Sequence, residues 1–339
     1  MIQYIYKVMI YYIRKFGKIL RSLSALLGIG KNYIYDIKRF LQASSIGRRI
    51  NTKTKLEALI TREYHRIEKG LSFENPRVGF APSVVQNLLS LLDKYRGKYD
   101  FDETGQIALN VLFAYHKFNL EHGLNDEQLG RKLKEIKAEI PQNKNITRQG
   151  GTLKLSKQEV FADAKLDLQA FFQSRYSIRQ FASEPVDMSL IEAAVKLAQK
   201  TPSVCNRQSS KVYVFSSDED KKKVLSYQNG NRGFGDRASK VLIVTSDLGH
   251  FFSITERNQC WIDGGMFAMS VVYALHSLGV GTCCLNWCVN YQADRALKKA
   301  VDISNSESII IMIAVGHLPE KFSVANSARK NLEEVLIAK

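Results

Sequence analysis

The chain has 339 residues, 45% of them hydrophobic and 24% charged, with a net charge of +16. That balance excludes a disordered or low-complexity protein and leaves material for a sizeable core. No uncharged apolar run approaches the ~18–20 residues needed to cross a bilayer, so no spanning helix is expected.

The charge is unevenly placed. Residues 1–55 carry twelve Lys/Arg against one acid, Asp36, whereas residues 161–339 carry 21 against 18. The basicity therefore belongs to the N-terminus and says little about chemistry further on. Five cysteines without paired spacing suit free thiols in a reducing compartment. Cys283, Cys284 and Cys288 cluster, but they lack the spacing and the nearby His of a metal site, and buried thiols are the simpler role. The N-terminus has no uninterrupted apolar core and no small-residue cleavage site, so a signal peptide is not expected. These features together point to the cytoplasm.

In chain order, residues 2–27 alternate Ile, Tyr, Leu and Phe with Lys7, Arg14, Lys15, Lys18 and Arg21. The apolar residues recur at helical spacing. Such a basic amphipathic helix suits the headgroup region of an anionic membrane, which makes residues 1–50 a candidate for peripheral contact at the inner face. The same face could instead pack on the rest of the protein. Charge alone would also allow nucleic acid, but no nucleic-acid motif accompanies it and none is expected as a partner. Segments 52–69, 83–96, 104–121 and 125–139 then show apolar i, i+3, i+4 spacing between Gly, Pro or Asn punctuation. His65, Glu68 and Arg77 could be assembled into a site, although a helix end with local ion pairs and Gly70 just past it accounts for them better. The organisation expected is a helical, basic region over 1–140, a polar linker over 141–157 containing Gly150-Gly151, and a second domain over 158–339.

A helix over about 158–173 leads into Arg175-Tyr176-Ser177-Ile178-Arg179-Gln180-Phe181. On an extended segment, Arg175, Ser177 and Arg179 share one face and could converge on an anion, with Tyr176 and Ile178 turned to the protein. Ser189 and Glu192 have capping-box spacing for the next helix. A polar loop, Thr201-Pro202-Ser203-Val204-Cys205-Asn206-Arg207-Gln208-Ser209-Ser210, feeds a strand at 212–215. Residues 229–235 read as a flexible loop, and 241–245 as a strand. The 257–278 segment is apolar nearly all round, which predicts a central helix or one buried in a subunit interface. Gly279 and Gly281 then bracket a turn where backbone could approach a ligand.

Taken in order, R-Y-S-I-R-Q-F at 175–181, T-P-S-V-C-N-R-Q at 201–208, the Asp263–Leu278 helix, G-V-G-T-C at 279–283 and A-R-K-N-L-E-E-V at 328–335 resemble the nitroreductase family of FMN-dependent oxidoreductases. The resemblance covers about residues 165–339. It implies an α+β fold, a mainly antiparallel sheet with helices around a long central one, preceded here by the helical N-terminal region. It also implies an intertwined homodimer with FMN at the subunit interface.

Position by position, the resemblance implies that Arg175 and Ser177 hold the FMN phosphate with help from Arg329. Arg179 would lie against the pyrimidine edge of the flavin. Pro202, Ser203, Asn206 and Gln208 would frame it, partly across the dimer. Gly281, Thr282, Cys283 and Cys284 would run beside the ring, and Asn231 is a further candidate for its O4 edge. The activity implied is ping-pong hydride transfer from NAD(P)H through FMN to an electron-poor small molecule such as a nitro compound, quinone or activated alkene. No side chain stands out as a catalytic acid or base. The family loop usually continues with Pro-Trp where this chain has Ser209-Ser210, which leaves room for a specialised dehydrogenase or reductive dehalogenase. A third alternative is a non-catalytic module that has lost the flavin.

Overall fold

A computed structural model describes residues 23–24, 26–46, 50, 52–139, 150–153, 167–325 and 329–339. The amphipathic stretch 2–22, most of the expected linker and the first part of the 158–173 helix lie outside these residues.

Residues 53–138 form four helices, Lys53–Leu71, Pro82–Arg96, Glu103–Glu121 and Glu127–Ala138. Three start as the sequence dictates, with the side chains of Thr52, Asp102 and Asp126 each accepting a backbone N–H of the first turn. The remaining one starts on Pro82, whose missing N–H costs nothing there. Their apolar faces close on Ile60, Ile67, Leu88, Leu92, Leu112 and Leu133, all fully buried. The expectation that Gly70 ends its helix needs correcting: the helix runs one residue further, to Leu71. Gly70 is small because a Cβ there would sit 2.1 Å from the Phe80 ring. That ring is held edge-on to Tyr115, whose hydroxyl donates to the Phe80 carbonyl at 2.7 Å.

The second half is built on a sheet of four described strands, β1 Ser210–Phe215, β2 Lys240–Asp247, β3 Val280–Leu285 and β4 Glu307–His317. Their order is β1-β2-β4-β3 and every pairing is antiparallel. β2 and β4 read as nearly continuous apolar runs because both faces are covered. Leu242, Val244, Ile313 and Val315 face the helices Met188–Ala198 and Gln259–Ser277. Val241, Ile243, Met312 and Ala314 face Asp218–Leu225, Tyr291–Ala300 and Phe234. This is the mixed α+β architecture expected. The Met188–Ala198 helix is capped by Asp187, which accepts Ser189 N–H at 2.7 Å, and not by the Ser189/Glu192 box. Asp187 stands one residue before the helix, where its carboxylate meets the open donor.

The halves are joined through residues 26–46, helical over 26–43. Arg39, 7% exposed, donates to the carbonyls of Asn305 (2.9 Å) and Glu307 (2.5 Å) and to Ser308 Oγ (3.2 Å) at the start of β4. Tyr35 donates to Asp294 at 2.8 Å, and Phe40 and Ala43 pack with Leu248, Phe251 and Cys260. No helix among the described residues is long and apolar enough to cross a membrane.

Candidate active site

The helix Leu168–Ser174 is short and fastened from outside. Phe172 stacks on Tyr273 with centroids 4.7 Å apart, Phe171 lies 5.0 Å from His276, and Ser174 Oγ is 2.9 Å from His276 Nε2. The chain then leaves extended at Arg175. Ile178 N–H donates to the Thr282 carbonyl at 2.8 Å, which lays residues 175–179 parallel to β3 as a short extra edge.

Ile178 is buried, Arg175 and Ser177 are half-buried and Arg179 is exposed. Tyr176, expected to face protein, is 42% exposed. It stands on the outer side of an edge that no described residue covers. Arg175 lies close enough to Cys284 and His276 to influence their protonation, and Arg179 does the same for Cys283 while resting over the Phe234 ring at 5.9 Å. Neither guanidinium has a carboxylate partner among the described residues. Of the cysteines expected to be buried, Cys283 is, whereas Cys284 and Cys288 are exposed; burial pushes the Cys283 thiol up despite Arg179, so it stays protonated at neutral pH. Gly281 does not leave room for a ligand. A Cβ there would meet Leu318 at 3.0 Å, the Gly316 carbonyl at 3.1 Å and Ile178 at 3.2 Å, so the residue is small for packing.

The 201–208 loop lies along the Gln259–Ser277 helix. Thr201 Oγ1 donates to Ser270 at 2.6 Å, Val204 N–H to buried Asp263 at 3.1 Å, and Gln208 N–H to Ser203 Oγ at 2.9 Å. Cys205, Asn206 and Gln208 have φ of 49°, 53° and 50°. Non-glycine residues in that region cost about 1–3 kcal/mol each and persist only where the surroundings hold them.

Arg207 does the holding. It is 4% exposed and donates to Glu256 (2.6 and 3.2 Å) and to the carbonyls of His250 (2.6 Å) and Val204 (3.0 Å), between the rings of Phe251 and Phe252. Burial alone would raise the Glu256 carboxyl, but Arg207 and the Phe252 and Ser253 N–H groups bring it below its ordinary value. The Lys53–Leu71 helix packs behind the Val204–Asn206 turn, with Arg62 over Phe252 at 5.0 Å. Sequence reasoning missed Arg207, Glu256 and Asp263. The one available signal was an arginine set inside an otherwise neutral polar loop.

A cavity of about 150 Å³ opens between this loop and the helix, lined by Pro202, Ser203, Gln208, Lys211, Asp263 and Phe267. A larger groove of about 780 Å³ lies between the Pro82–Arg96 and Glu127–Ala138 helices. Charges on its rim pair with each other, as Lys132 does with Asp93 at 3.4 Å, and it offers no convergent chemistry.

The structure thus brings Arg175, Ser177 and Arg179 together with Thr282, Cys283 and Cys284. It does not bring Pro202, Ser203, Asn206 and Gln208 to them within one chain. The first group is fastened at His276 and the loop at Asp263, about 20 Å apart along the helix. Asn231 spends its amide on the carbonyls of Leu225 (2.9 Å) and Gln228, which shapes its own loop. Arg329 is exposed in the C-terminal tail, before the Leu332–Glu334 turn.

The family model described as "Nitroreductase family" matches residues 172–230 and 222–317. Among solved structures, a Desulfovibrio desulfuricans protein crystallised in complex with FMN is 20% identical, covering 52% of this chain and 98% of its own, with a TM-score of 0.45. An FMN-dependent nitroreductase from Clostridium difficile R20291 is 20% identical over 50% of this chain and 98% of its own (TM-score 0.43). A nitroreductase family protein from Streptococcus pneumoniae is 17% identical over 51% and 100% (TM-score 0.44). No curated protein matches the sequence.

Proposed function

The C-terminal part of the chain belongs to the nitroreductase family, and from that premise we propose that the protein is an FMN-dependent oxidoreductase. It takes a hydride from NAD(P)H and passes it, in ping-pong fashion, to an electron-poor organic acceptor. The observation that carries the reading is that Arg175 and Arg179, on one sheet edge, both stand without carboxylate partners among the described residues. Cations that face no counter-charge among the described residues suit a phosphate and a ring edge that accept hydrogen bonds.

FMN, when bound, supplies the hydride chemistry. The chain's own residues bind and orient. Arg175 and Ser177 would hold its phosphate with Arg329, Arg179 would serve its pyrimidine edge, and the Thr282–Cys284 backbone would flank its ring. The strained 202–208 loop belongs to the same site across a homodimer, since one chain keeps it at the far end of the central helix. Trp261, Ile262 and Met266 support that assembly: the sequence predicted this helix to be buried all round, yet these three are 46%, 52% and 40% exposed in the single chain. Ser209 turns inward to Ser246 at 2.8 Å and Ser210 lines the cavity, so the acceptor side is more open and more polar than a Pro-Trp pair would leave it.

Purified protein should be yellow, release FMN on denaturation and bleach anaerobically with NADH or NADPH. Arg175→Ala and Arg179→Ala should each weaken FMN by about 1.5–3 kcal/mol. Colourless protein that FMN does not reconstitute overturns the proposal.

A further inference from the structure

The 26–43 helix presents two opposite faces, and among the described residues only one is used. Asn32, Tyr35 and Arg39 look into the C-terminal half, where Asn32 accepts Tyr291 N–H at 3.0 Å and Tyr35 and Arg39 make the bonds described above. At 100° per residue, Leu23, Leu27, Gly30, Ile34, Ile37 and Leu41 fall about 150° away. The five large residues among them are all more than half exposed. A Cβ added at Gly30 would meet nothing within 4 Å, so that side is open. Leu26 and Tyr33, 67% and 66% exposed, widen the stripe. Monomeric proteins rarely leave an apolar surface of this kind without a partner.

Charge identifies the partner. Six Lys/Arg precede the first acidic residue of the chain, Asp36. Lys31 and Lys38 are exposed along one flank of the stripe. A second copy lying on the stripe would bring like charges together, and the apolar arc is broader than a two-residue-per-heptad seam requires. An anionic surface relieves the charge and takes the whole arc.

We infer that the 26–43 helix seats the protein on an anionic lipid surface, with the Leu27–Leu41 stripe in the headgroup boundary and the Arg39 face docked on the oxidoreductase domain. The helix lies in the plane of the interface and does not span it. Lys31 and Lys38 add attraction that salt screens. Because Arg39 reaches β4 directly, the catalytic half is held against the surface rigidly and not on a tether, which suits an apolar acceptor drawn from the bilayer. The inference does not depend on the flavin reading.

The test uses the full chain and sedimentation with phosphatidylcholine vesicles, with and without about one-third phosphatidylglycerol. Wild type should bind the anionic vesicles at least tenfold more tightly than the neutral ones. Ile34→Asp/Ile37→Asp should lose at least tenfold, and Lys31→Gln or Lys38→Gln about fivefold each. Flavin content and oligomeric state should match wild type in all three, because the stripe is on the helix face turned away from the C-terminal half. Equal binding to the two vesicle types, or unaltered binding by the double variant, overturns the inference. A double variant that changes oligomeric state while vesicle binding persists also overturns it and assigns the stripe to a second copy.

Discussion

Among residues 53–138, buried Glu63 is clamped by Arg62 (2.5 Å) and Arg66 (2.9 Å), and the Tyr95 hydroxyl reaches both Asp102 (2.6 Å) and Glu57 (2.9 Å). Glu68 takes the Gly151 N–H at 3.0 Å and lies 3.3 Å from His65. In the C-terminal half, Arg175 and Arg179 stand without carboxylates among the described residues, and Trp261 and Met266 remain uncovered. The first region pairs its buried and half-buried acids, though His116 Nδ1 stays buried without a partner among the described residues; the second keeps cations and apolar surface for something else. Chemistry belongs where bonding is unfinished. The first region still matters, because its first helix backs the turn that holds three strained residues.

The largest test of that division is Arg207. Arg207→Ala strips a buried guanidinium from Glu256 and from two carbonyls, and should cost about 3–5 kcal/mol. Urea unfolding would show the loss, and weakened flavin retention should accompany it as the 203–208 loop relaxes. If flavin is retained as in wild type, the strained loop has no part in the site.

Next is the helical half itself. Leu92 is fully buried, and Leu92→Ala should destabilise by about 2–5 kcal/mol. Since the Lys53–Leu71 helix packs on both the Val204–Asn206 and Leu248–His250 turns, flavin release on heating should shift with the unfolding of the helices. Two separate transitions, with flavin release unmoved, would make the halves independent.

Much of this was legible from the chain. The four helices of residues 53–138 lie within two residues of their periodic segments, because each buries one stripe and carries its own cap or breaker. The strands show as apolar runs since both sheet faces are covered. The 175–179 face was readable in part: Ile178 turns inward as alternation demands, but Tyr176 does not, because the segment is an edge. What was not legible is long-range. Nothing near Arg207 in sequence announces Glu256, 49 residues on. Nothing near Arg39 announces carbonyls at 305 and 307. Gly281 looked like room for a ligand because the side chains that fill its space come from 178 and 318.

The smallest expected effect concerns protons at the join between the halves. The His250 carbonyl accepts from Arg207, and the ring Nδ1 of His250 is buried and unpartnered among the described residues. Burial holds the imidazole below its ordinary value; Asp247 pulls it up, and Lys211 and Arg207 push it down further. The folded protein therefore keeps His250 neutral while the unfolded chain protonates it below about pH 6.5. With the folded value depressed, the contribution to stability is complete above that pH and is lost as pH falls toward the folded value. Glu256, also depressed, acts in the same direction lower down, where the unfolded carboxyl titrates near about 4.3. Denaturant midpoints should thus fall in two steps as pH is lowered from 7. His250→Asn should flatten the upper step and leave the lower one, and Glu256→Gln should do the reverse. A His250→Asn protein that keeps the upper slope would move that titration away from the join and leave the two halves coupled by packing alone.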